Sequence, residues 1–293
     1  LTRLDDLHLL TVVFPELEPL RGLKQPPPHH LDVLSHSLQV VCALEVILLE
    51  LGLVDGPPGV PLGVEVAEAR SWLDSLGRLA DRLRPLLPQP LAQQRPRLIT
   101  LKLAALLHDT GKAAAQTIGD DGRIRFLGHE ADSARAVGLI LRRLRFNRAE
   151  VQVGETIVRH HMRPLLLAGQ ASVSSRAVYR FFRDTRDAGI DILLHALADH
   201  RATYPPGKGD ERWSQLVALT LRMLADYWER QEERVDPPSL VDGYDLMREF
   251  GLEPGPQIGL LLELVREAQI AGEVKTREEA LALVRSRLDS LPQ

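Results

Sequence analysis

The chain has 293 residues, of which 44% are hydrophobic and 26% are charged. This composition is typical of a globular protein and excludes a fibrous or disordered chain. The formal net charge of -4 gives no overall attraction for nucleic acid or an anionic membrane, although a local basic groove is compatible with it. The single cysteine, Cys42, excludes an intrachain disulfide and suits a reducing compartment, so we expect a cytoplasmic protein. No stretch approaches the ~20 apolar residues of a membrane span, and we expect no membrane partner.

Helical periodicity and proline punctuation predict the elements of the first part of the chain. A short helix over residues 1–13 is stopped by Pro15 and leads into a loop over residues 16–30. Three helices then follow, with proline-rich connectors between them: Leu31–Gly52, Val64–Leu87 and Leu98–Leu107. The last of these helices ends at the doublet His108-Asp109.

The pattern of the second part is also helical, with one exception. Two short β-prone runs flank Asp121-Gly122, which is a hairpin turn signal. The helices predicted after this hairpin are Ala131–Leu144, Glu150–His161, Ser174–Asp187, Ile190–Thr203, Glu211–Arg234, Tyr244–Phe250, Pro256–Ala271 and Arg277–Leu288. We therefore predict an all-α protein with one small β-hairpin, and three domains: an N-terminal helix and loop (1–30), a helical bundle (31–235) and a small helical domain (236–293).

The doublet His108-Asp109 stands at the end of an apolar helix and is followed by Thr-Gly-Lys. Adjacent histidine and aspartate residues offer a nitrogen and a carboxylate ligand from one fixed piece of backbone, and the carboxylate can bridge two cations. A set drawn from several predicted helices, His36, His108, Asp109 and Asp199, would hold one divalent cation. A second cation would take His129 and either His160 or His161, with Asp109 as the bridge. A histidine-rich set favours Mn, Fe, Co, Ni or Zn over Ca.

Two such cations can hold a phosphate group between them and activate water. Lys112 lies one turn after His108, and Arg163 follows His161, so either cation could neutralise a phosphate oxygen. Asp32 could hold the unligated nitrogen of a site histidine. Of the other histidines, we interpret His8, His195 and His200 as structural, and His29 and His30 as loop residues.

The order His36, His108-Asp109, Asp199 resembles the HD superfamily of metal-dependent phosphohydrolases, and the added His129 and His160-His161 resemble its two-metal subgroup. This resemblance implies an all-helical HD domain, two divalent metal ions (Mn, Fe, Co, Ni, Zn or Mg) and hydrolysis of phosphate esters, commonly in nucleotides. Asp109, Lys112 and Arg163 would be its catalytic residues.

A second resemblance covers nearly the whole chain. The runs that carry it are Phe14–Gly22, Pro28–His36, His160–Pro164, Asp245–Pro256, Glu267–Gln269 and Thr276–Ala280. They are similar to the HD-containing body and tail of bacterial tRNA nucleotidyltransferases, the CCA-adding and poly(A) polymerase family. The nucleotidyltransferase head of that family, with its Asp-x-Asp pair, is not in the sequence, and the chain begins with Leu1 in place of methionine. It is therefore expected to be part of a longer polypeptide or a headless relative.

The charge of the predicted tail argues against strong phosphate contact there. Residues 236–293 hold 11 acidic and 6 basic side chains, whereas contact with nucleic-acid phosphates normally rests on lysine and arginine. Any RNA-binding surface would have to come from a local patch, either Arg142, Arg143 and Arg145 or the arginines between Arg176 and Arg186. A solvated helix face is the alternative interpretation of both patches.

Two functions remain open from the sequence. The first is a two-metal HD phosphohydrolase, a phosphodiesterase or phosphatase that acts on nucleotides or RNA 3′ ends such as 2′,3′-cyclic phosphates. The alternative is a binding module, the RNA-positioning body and tail of a tRNA nucleotidyltransferase whose catalytic head is missing. In the alternative, tRNA is the partner.

Overall fold

The computed structural model describes residues 1–53, 77, 80–91, 95–205, 208 and 210–289. The predicted helix Val64–Leu87 therefore lies largely outside the described residues. Within its range the structure describes 77 and 80–87, of which 77 and 80–86 are helical. The described chain forms two compact units. Unit 1 comprises Leu1–Gln170 and Asp187–Arg222, and unit 2 comprises Ala171–Arg186 and Met223–Gln293.

Unit 1 is built from helices and one hairpin. In chain order its helices include α1 (Thr2–Asp6), α2 (Leu10–Val13), a 3-10 turn at Pro15–Leu20, α3 (Val33–Glu50), α4 (Arg97–Leu107), α5 (Lys112–Ala115), α6 (His129–Arg143), α7 (Arg148–His160) and α8 (Arg163–Ala168). After the return from unit 2 they are α10 (Ala188–Thr203) and the N-terminal part of α11 (Asp210–Glu229), up to Arg222. The hairpin pairs β1 (Thr117–Ile118) with β2 (Ile124–Arg125) in antiparallel register.

Helix α10 is the centre of unit 1. Every residue of it except Arg201 is buried, and a helix that is buried on all sides lies in the middle of a bundle. Helices α3, α4, α7 and α8 pack around it. Because α3, α4 and α10 carry the predicted ligands His36, His108-Asp109 and Asp199, this packing brings residues that are distant in sequence to one place.

Helices α6 and α7 pack closely because a glycine lies between them. A Cβ atom at Gly154 of α7 would meet Cδ1 of Leu141 at 2.6 Å, a distance that real Cβ contacts do not show. Helix α7 begins with a capping box, in which Asn147 and Glu150 each accept a hydrogen bond from the other's backbone N–H. The two features fix where α7 starts and how near it lies to α6.

Several elements differ from the sequence predictions, and proline is involved in two of them. Residues Pro15–Leu20 form a 3-10 turn in the predicted loop, because proline at the first helical position has a φ angle that suits a helix start. The predicted helix Glu150–His161 is followed by a further short helix, α8, with Pro164 at its second position. The predicted helix over residues 1–13 is interrupted at His8, whose φ is +54°.

Unit 2 is a small helical assembly with its own core. Its helices are α9 (Ser175–Thr185), the C-terminal part of α11 (Asp210–Glu229), a π-helical turn (Gln231–Val235), α12 (Gly243–Phe250), α13 (Pro256–Ile270) and α14 (Arg277–Asp289). Its core residues include Leu246, Leu261, Val265, Ala280 and Val284. Helix α12 begins with a second capping box, between Asp242 and Asp245, which marks the start of the C-terminal helices.

The prediction of an all-α fold with one small hairpin is confirmed. The predicted domain boundaries at residues 30 and 235 stay a prediction. The compact units divide the chain differently, because 171–186 and 223–235 group with the C-terminal helices. Within the described ranges, no helix combines the length and the hydropathy needed to cross a bilayer.

Candidate metal centre

The end of helix α4 delivers the doublet to the interior of unit 1. His108 keeps helical dihedral angles at the C-cap, and the hydroxyl of Thr110 donates to the carbonyl of Leu107 at 2.9 Å. Both side chains of the doublet are 1% exposed. The apolar residues of α4 thus anchor the helix in the core, and the two polar side chains at its end point into the interior as a consequence.

Gly111 lets the chain turn tightly against helix α6 directly after the doublet. A Cβ atom at this position would meet the carbonyl oxygen of His129 at 2.5 Å and the backbone nitrogen of Ser133 at 2.6 Å. The N–H of Gly111 donates to the hydroxyl of Ser133 at 2.9 Å. The close approach brings Asp109, Lys112 and the start of α6 together, which explains why the sequence has glycine in the run His-Asp-Thr-Gly-Lys.

Three histidines are oriented by their own backbone. Nδ1 of His108 lies 2.9 Å from the carbonyl oxygen of Ala105, Nδ1 of His129 lies 2.8 Å from that of Phe126, and Nδ1 of His161 lies 2.7 Å from that of Val158. Each distance matches an Nδ1–H donating to the carbonyl three residues earlier. A neutral ring in that tautomer offers an unprotonated Nε2 to a cation.

Asp109 is shared by two groups of potential ligands. In the first group, ligand atoms of His36, His108 and Asp109 all lie within 4.8 Å of one another. In the second group the same holds for Asp109, His129 and His161. The two carboxylate oxygens divide between the groups, since Oδ2 is 3.1 Å from Nε2 of His108 and Oδ1 is 3.3 Å from Nε2 of His129.

Asp199 lies at the edge of the first group. Its Oδ1 is 3.0 Å from Nε2 of His36, although it is not among the three residues whose ligand atoms lie mutually within 4.8 Å. Asp32 has another role than the one expected. Its two oxygens accept hydrogen bonds from the N–H and the hydroxyl of Ser35, so it caps helix α3 and does not orient a site histidine.

Lys112 is held beside the bridging carboxylate. Its Nζ lies 2.7 Å from Oδ2 of Asp109 and donates to Oε1 of Gln25 at 2.6 Å. The amide of Gln25 donates in turn to the carbonyl of Leu31 at 3.4 Å. Lys112 is therefore a buried cation with two fixed partners, and its ammonium group faces the same space as the histidines.

Burial and charge set the protonation states within the cluster. Burial alone would raise the pKa of Asp109, but the positive charges of His108 and Lys112 hold it well below its usual range. Burial lowers the pKa of His161 to about 4, which keeps that ring neutral and able to bind a cation. Burial opposes a charge on His108, yet the carboxylate of Asp109 raises its pKa, so a metal would displace a proton there.

The cluster fits a bound cation because several of its atoms are buried without a hydrogen-bond partner. Lys112 contacts Oδ2 of Asp109, and Asp199 contacts Nε2 of His36. Among the described residues, the atoms of the cluster that remain without a hydrogen-bond partner are Nδ1 of His36, Oδ1 of Asp109, Nε2 of His129 and both ring nitrogens of His195. A buried polar atom without a partner costs about 1–3 kcal/mol. Two divalent ions would supply partners to the carboxylate of Asp109, to one ring nitrogen of His36 and to Nε2 of His129.

The structure separates the two candidate histidines at the end of α7. His161 is 1% exposed and belongs to the second group. His160 is half-buried and is in neither group that the described residues form. This follows from helix geometry, since neighbouring residues differ by about 100° in direction.

Two histidines that the sequence analysis set aside lie at the cluster. The ring of His195 is fully buried, with its centroid 4.9 Å from that of His108 and 5.7 Å from that of His161. The ring of His29 is 5.0 Å from that of His36, and burial lowers its pKa to about 4. His195 precedes Asp199 by one helical turn, a spacing that could have identified it.

An open cavity of about 1100 Å³ lies over the cluster. His108, Asp109, His129, His161 and Asp199 are all part of its wall. Its basic lining residues are Lys112, Arg125, Arg159, Arg163 and Arg212, and its acidic residues besides the two aspartates are Glu130 and Glu211. The five basic side chains exceed the four acidic ones by one, and cations bound at the cluster would add further positive charge, so the cavity suits an anionic ligand.

The two candidate RNA patches consist largely of paired arginines. Arg142 and Arg143 form ion pairs with Glu155 and Glu16 at 2.8 Å. In unit 2, Arg176, Arg180 and Arg183 pair with glutamates on or just after helix α13: Glu273, Glu267 and Glu263. The paired glutamates cancel most of the positive charge that either patch would offer to RNA phosphates.

Two family profiles match the chain. The profile for the HD domain matches residues 33–204, and the profile for tRNA nucleotidyltransferase domain 2 matches residues 231–284. The first match contains the whole cluster from His36 to Asp199. The second match falls on the C-terminal helices.

Characterised relatives include three tRNA nucleotidyltransferases. An A-adding enzyme of Deinococcus radiodurans is 30% identical over 291 residues, which are 99% of this chain and 54% of the relative. A CC-adding enzyme of Thermus thermophilus is 30% identical over 282 residues, 96% of this chain and 51% of the relative. A CC-adding enzyme of a Synechocystis species is 27% identical over 142 residues, 48% of this chain and 31% of the relative. The chain thus spans about half the length of the first two.

Proposed function

This chain belongs to the HD domain family, and on that premise we propose that its cluster binds two divalent cations and hydrolyses phosphate esters of nucleotides or RNA 3′ ends. The observation that carries the proposal is the position of Asp109. One buried carboxylate takes part in two histidine groups, and each of its oxygens faces a different group. This arrangement is what a bridging ligand between two cations requires.

The residues of the cluster divide into two ligand sets. His36, His108, Asp109 and Asp199 would hold the first ion, and Asp109, His129 and His161 the second. When bound, the ions supply Lewis-acid activation of water and of the phosphate group. Mn, Fe, Co, Ni and Zn suit the histidine-rich sets better than Mg or Ca does.

Two basic residues would neutralise the phosphate. Lys112 faces the bridging carboxylate and lines the cavity, so it stands next to the place where a phosphate between the ions would lie. Arg163 follows the ligand helix α7 and lines the same cavity. A guanidinium group can bind two phosphate oxygens at once, and it would hold the side of the phosphate that faces the cavity mouth.

Hydrolysis is tested with 2′,3′-cyclic AMP and a generic phosphodiester, with Mn, Co, Ni and Mg each supplied to the full chain. We expect turnover with at least one ion, and a loss of at least about 100-fold in Asp109→Ala, as for removal of a principal electrostatic contributor. The matched control is Asp132→Ala, an aspartate on the surface of α6 that pairs with Arg135. No turnover with any ion, or equal rates in Asp109→Ala and wild type, would contradict the proposal.

A second function is favoured by the comparisons, and they support it more directly than they support hydrolysis. The relatives that match nearly the whole chain are tRNA nucleotidyltransferases, and the C-terminal helices match a domain of such enzymes. In this function the chain is the body and tail that position tRNA for a catalytic head outside the 293 residues. The two functions are compatible in one protein.

Binding of tRNA distinguishes the two functions. We expect the full chain to bind deacylated tRNA, with an affinity that falls as salt rises because phosphate contacts release counterions. The comparison is a double-stranded DNA of equal length and charge. Salt-dependent tRNA binding that exceeds DNA binding, together with no hydrolysis in any metal, would leave the positioning role alone. Equal affinity for both would contradict it.

A further inference from the structure

The cavity over the cluster is larger than a phosphate group needs. Its volume of about 1100 Å³ lies at the upper end of pockets that bind small molecules. Two of its lining residues are strongly exposed apolar side chains, since Leu127 is 80% exposed and Leu166 is 64% exposed. The cavity therefore offers apolar surface to a ligand beyond the part that the cations and basic residues would hold.

One wall of the cavity carries a stack of three rings. Its inner end is Trp213, which is 6% exposed. The centroid of the His200 ring lies 5.7 Å from that of Trp213 at an interplanar angle of 33°, and 4.7 Å from that of Tyr204 at 37°. His200 and Tyr204 both line the cavity. The stack thus starts in the core and ends at the cavity wall with the half-buried ring of Tyr204.

Further contacts hold this stack in place. The guanidinium of Arg201 lies 4.0 Å from the centre of the Trp213 ring, and Arg212 donates to the hydroxyl of Tyr204 at 3.5 Å. Tyr204 also directly follows helix α10, at its C-cap. It therefore stands five residues after Asp199, or about 7.5 Å along the helix axis.

We propose that Tyr204 is the stacking face for a nucleobase whose phosphate lies at the metal cluster. A ligand with a phosphate at one end and a flat ring about one sugar away is a nucleoside phosphate, and aromatic side chains bind bases through their faces. The inference rests on the proposed function only for the position of the phosphate. It adds a residue that selects substrates with a base over phosphate esters without one.

The test compares two hydrolysis-resistant ligands by calorimetry with the full chain in buffer containing Mn²⁺. One is adenosine with a 3′-phosphonate, and the other is methyl ribofuranoside with the same 3′-phosphonate. We expect wild type to bind the adenosine compound at least about fivefold more tightly, the lower end of the range for base stacking. A ratio near one in wild type would overturn the inference, whatever the protein hydrolyses.

Variants locate the preference. In Tyr204→Leu the ratio of the two affinities should fall to about one, and in Tyr204→Phe it should stay at the wild-type value because the ring alone stacks. The matched control is Tyr244→Leu, since Tyr244 is 80% exposed on unit 2 and should keep the wild-type ratio. An unchanged ratio in Tyr204→Leu would contradict the inference, and the Tyr204→Phe variant shows whether the fold tolerates a change there.

The failure of this inference can be told from the failure of the proposed function. If no phosphate ester is hydrolysed in any metal but the ratio depends on Tyr204, the hydrolase proposal is wrong and the base site stands. If hydrolysis occurs and the ratio is near one, the hydrolase proposal stands and the base site is wrong. A trinucleotide with the same 3′-phosphonate then identifies the source of the ligand. If the trinucleotide binds at least tenfold more tightly than the adenosine compound, the ligand is an RNA end. If it binds less than tenfold more tightly, the ligand is a free nucleotide.

Discussion

Two buried polar centres in the described part of unit 1 differ in how far their hydrogen-bonding groups are satisfied. In the first, the guanidinium of Arg97 donates to both carboxylate oxygens of Asp191 at 2.9 and 3.1 Å through Nε, and to the carboxylate and carbonyl of Asp187 at 3.0 and 2.7 Å. In the second, Asp109 forms an ion pair with Lys112, but its Oδ1 and several ring nitrogens around it are buried without a hydrogen-bond partner.

The difference separates a structural centre from a candidate binding site. A buried ion pair whose groups all bond to one another has no capacity left for a ligand, and it ties α4 to the start of α10. A cluster in which buried polar atoms lack hydrogen bonds has all its polar groups satisfied only when a ligand or an ion binds. Both centres depend on α4, so a substitution in either one tests whether the distinction is real.

The largest effect on stability is expected at the ion pair between Arg97 and Asp191. Arg97→Met should lower the free energy of unfolding by about 3–5 kcal/mol, because it leaves the buried carboxyl group of Asp191 without its partner. Urea denaturation measures the change. The double variant Arg97→Met, Asp191→Leu should recover most of the loss, since no buried carboxyl group is then left without a partner. A double variant as unstable as the single one would contradict this account of the pair.

The cluster around Asp109 should bind divalent ions, whereas the ion pair between Arg97 and Asp191 should not. Adding Mn²⁺ at about 100 times its dissociation constant should raise the free energy of unfolding by ~2.7 kcal/mol, because only the folded state binds it. A chelator should reverse the gain. Thermal denaturation of wild type and of the Asp109→Ala variant, each with and without Mn²⁺, measures the effect. An equal increase in stability in both proteins would show that the ion binds at another site.

The turn after the doublet should be sensitive to a single methyl group. Gly111→Ala places a Cβ atom 2.5 Å from the carbonyl oxygen of His129, so α6 must move. We expect a loss of about 1–3 kcal/mol, typical of overpacking, together with weaker metal binding, since His129 moves with the helix. Gly259→Ala is the matched control, because a Cβ atom there meets nothing within 4 Å. Equal effects of the two substitutions would contradict the packing argument.

The smallest effect is expected in unit 2, where the ion pairs lie at the surface. Arg180 pairs with Glu267, but its side chain is 51% exposed, and exposed pairs contribute about 0–1 kcal/mol. Arg180→Ala should therefore change the free energy of unfolding by less than about 1 kcal/mol. It should also leave tRNA binding nearly unchanged if the glutamates already neutralise this patch. A loss of tRNA affinity of tenfold or more would show that Arg180 contacts RNA.

The sequence predicted most of the helices but only part of the site. The helical pattern predicted the helices that carry His36, His108 and Asp199, because apolar periodicity reports directly on burial. The doublet His108-Asp109 was identifiable because both residues come from one piece of backbone. Their roles as ligands stay a prediction, whereas their proximity is a property of the structure.

Other members of the site were not accessible to sequence reasoning. Gln25 lies in a proline-rich loop, and nothing in its neighbourhood indicates that its amide meets Lys112, which is 87 residues away. The choice between His160 and His161 depends on the rotation of α7, which the packing of α6 and α7 around Gly154 determines. The spacing of Tyr204 from Asp199 was visible, but the ring stack behind it requires Trp213 from the next helix.

The central claim is that Asp109 bridges two cations, and metal content tests it most directly. The full chain and the Asp109→Ala variant are incubated with Mn²⁺, passed through a desalting column and analysed for metal per chain. The account predicts about two ions per chain in wild type, and a loss of both in Asp109→Ala, because the same carboxylate serves both ligand sets. Two ions retained in the variant, or none in wild type, would contradict it.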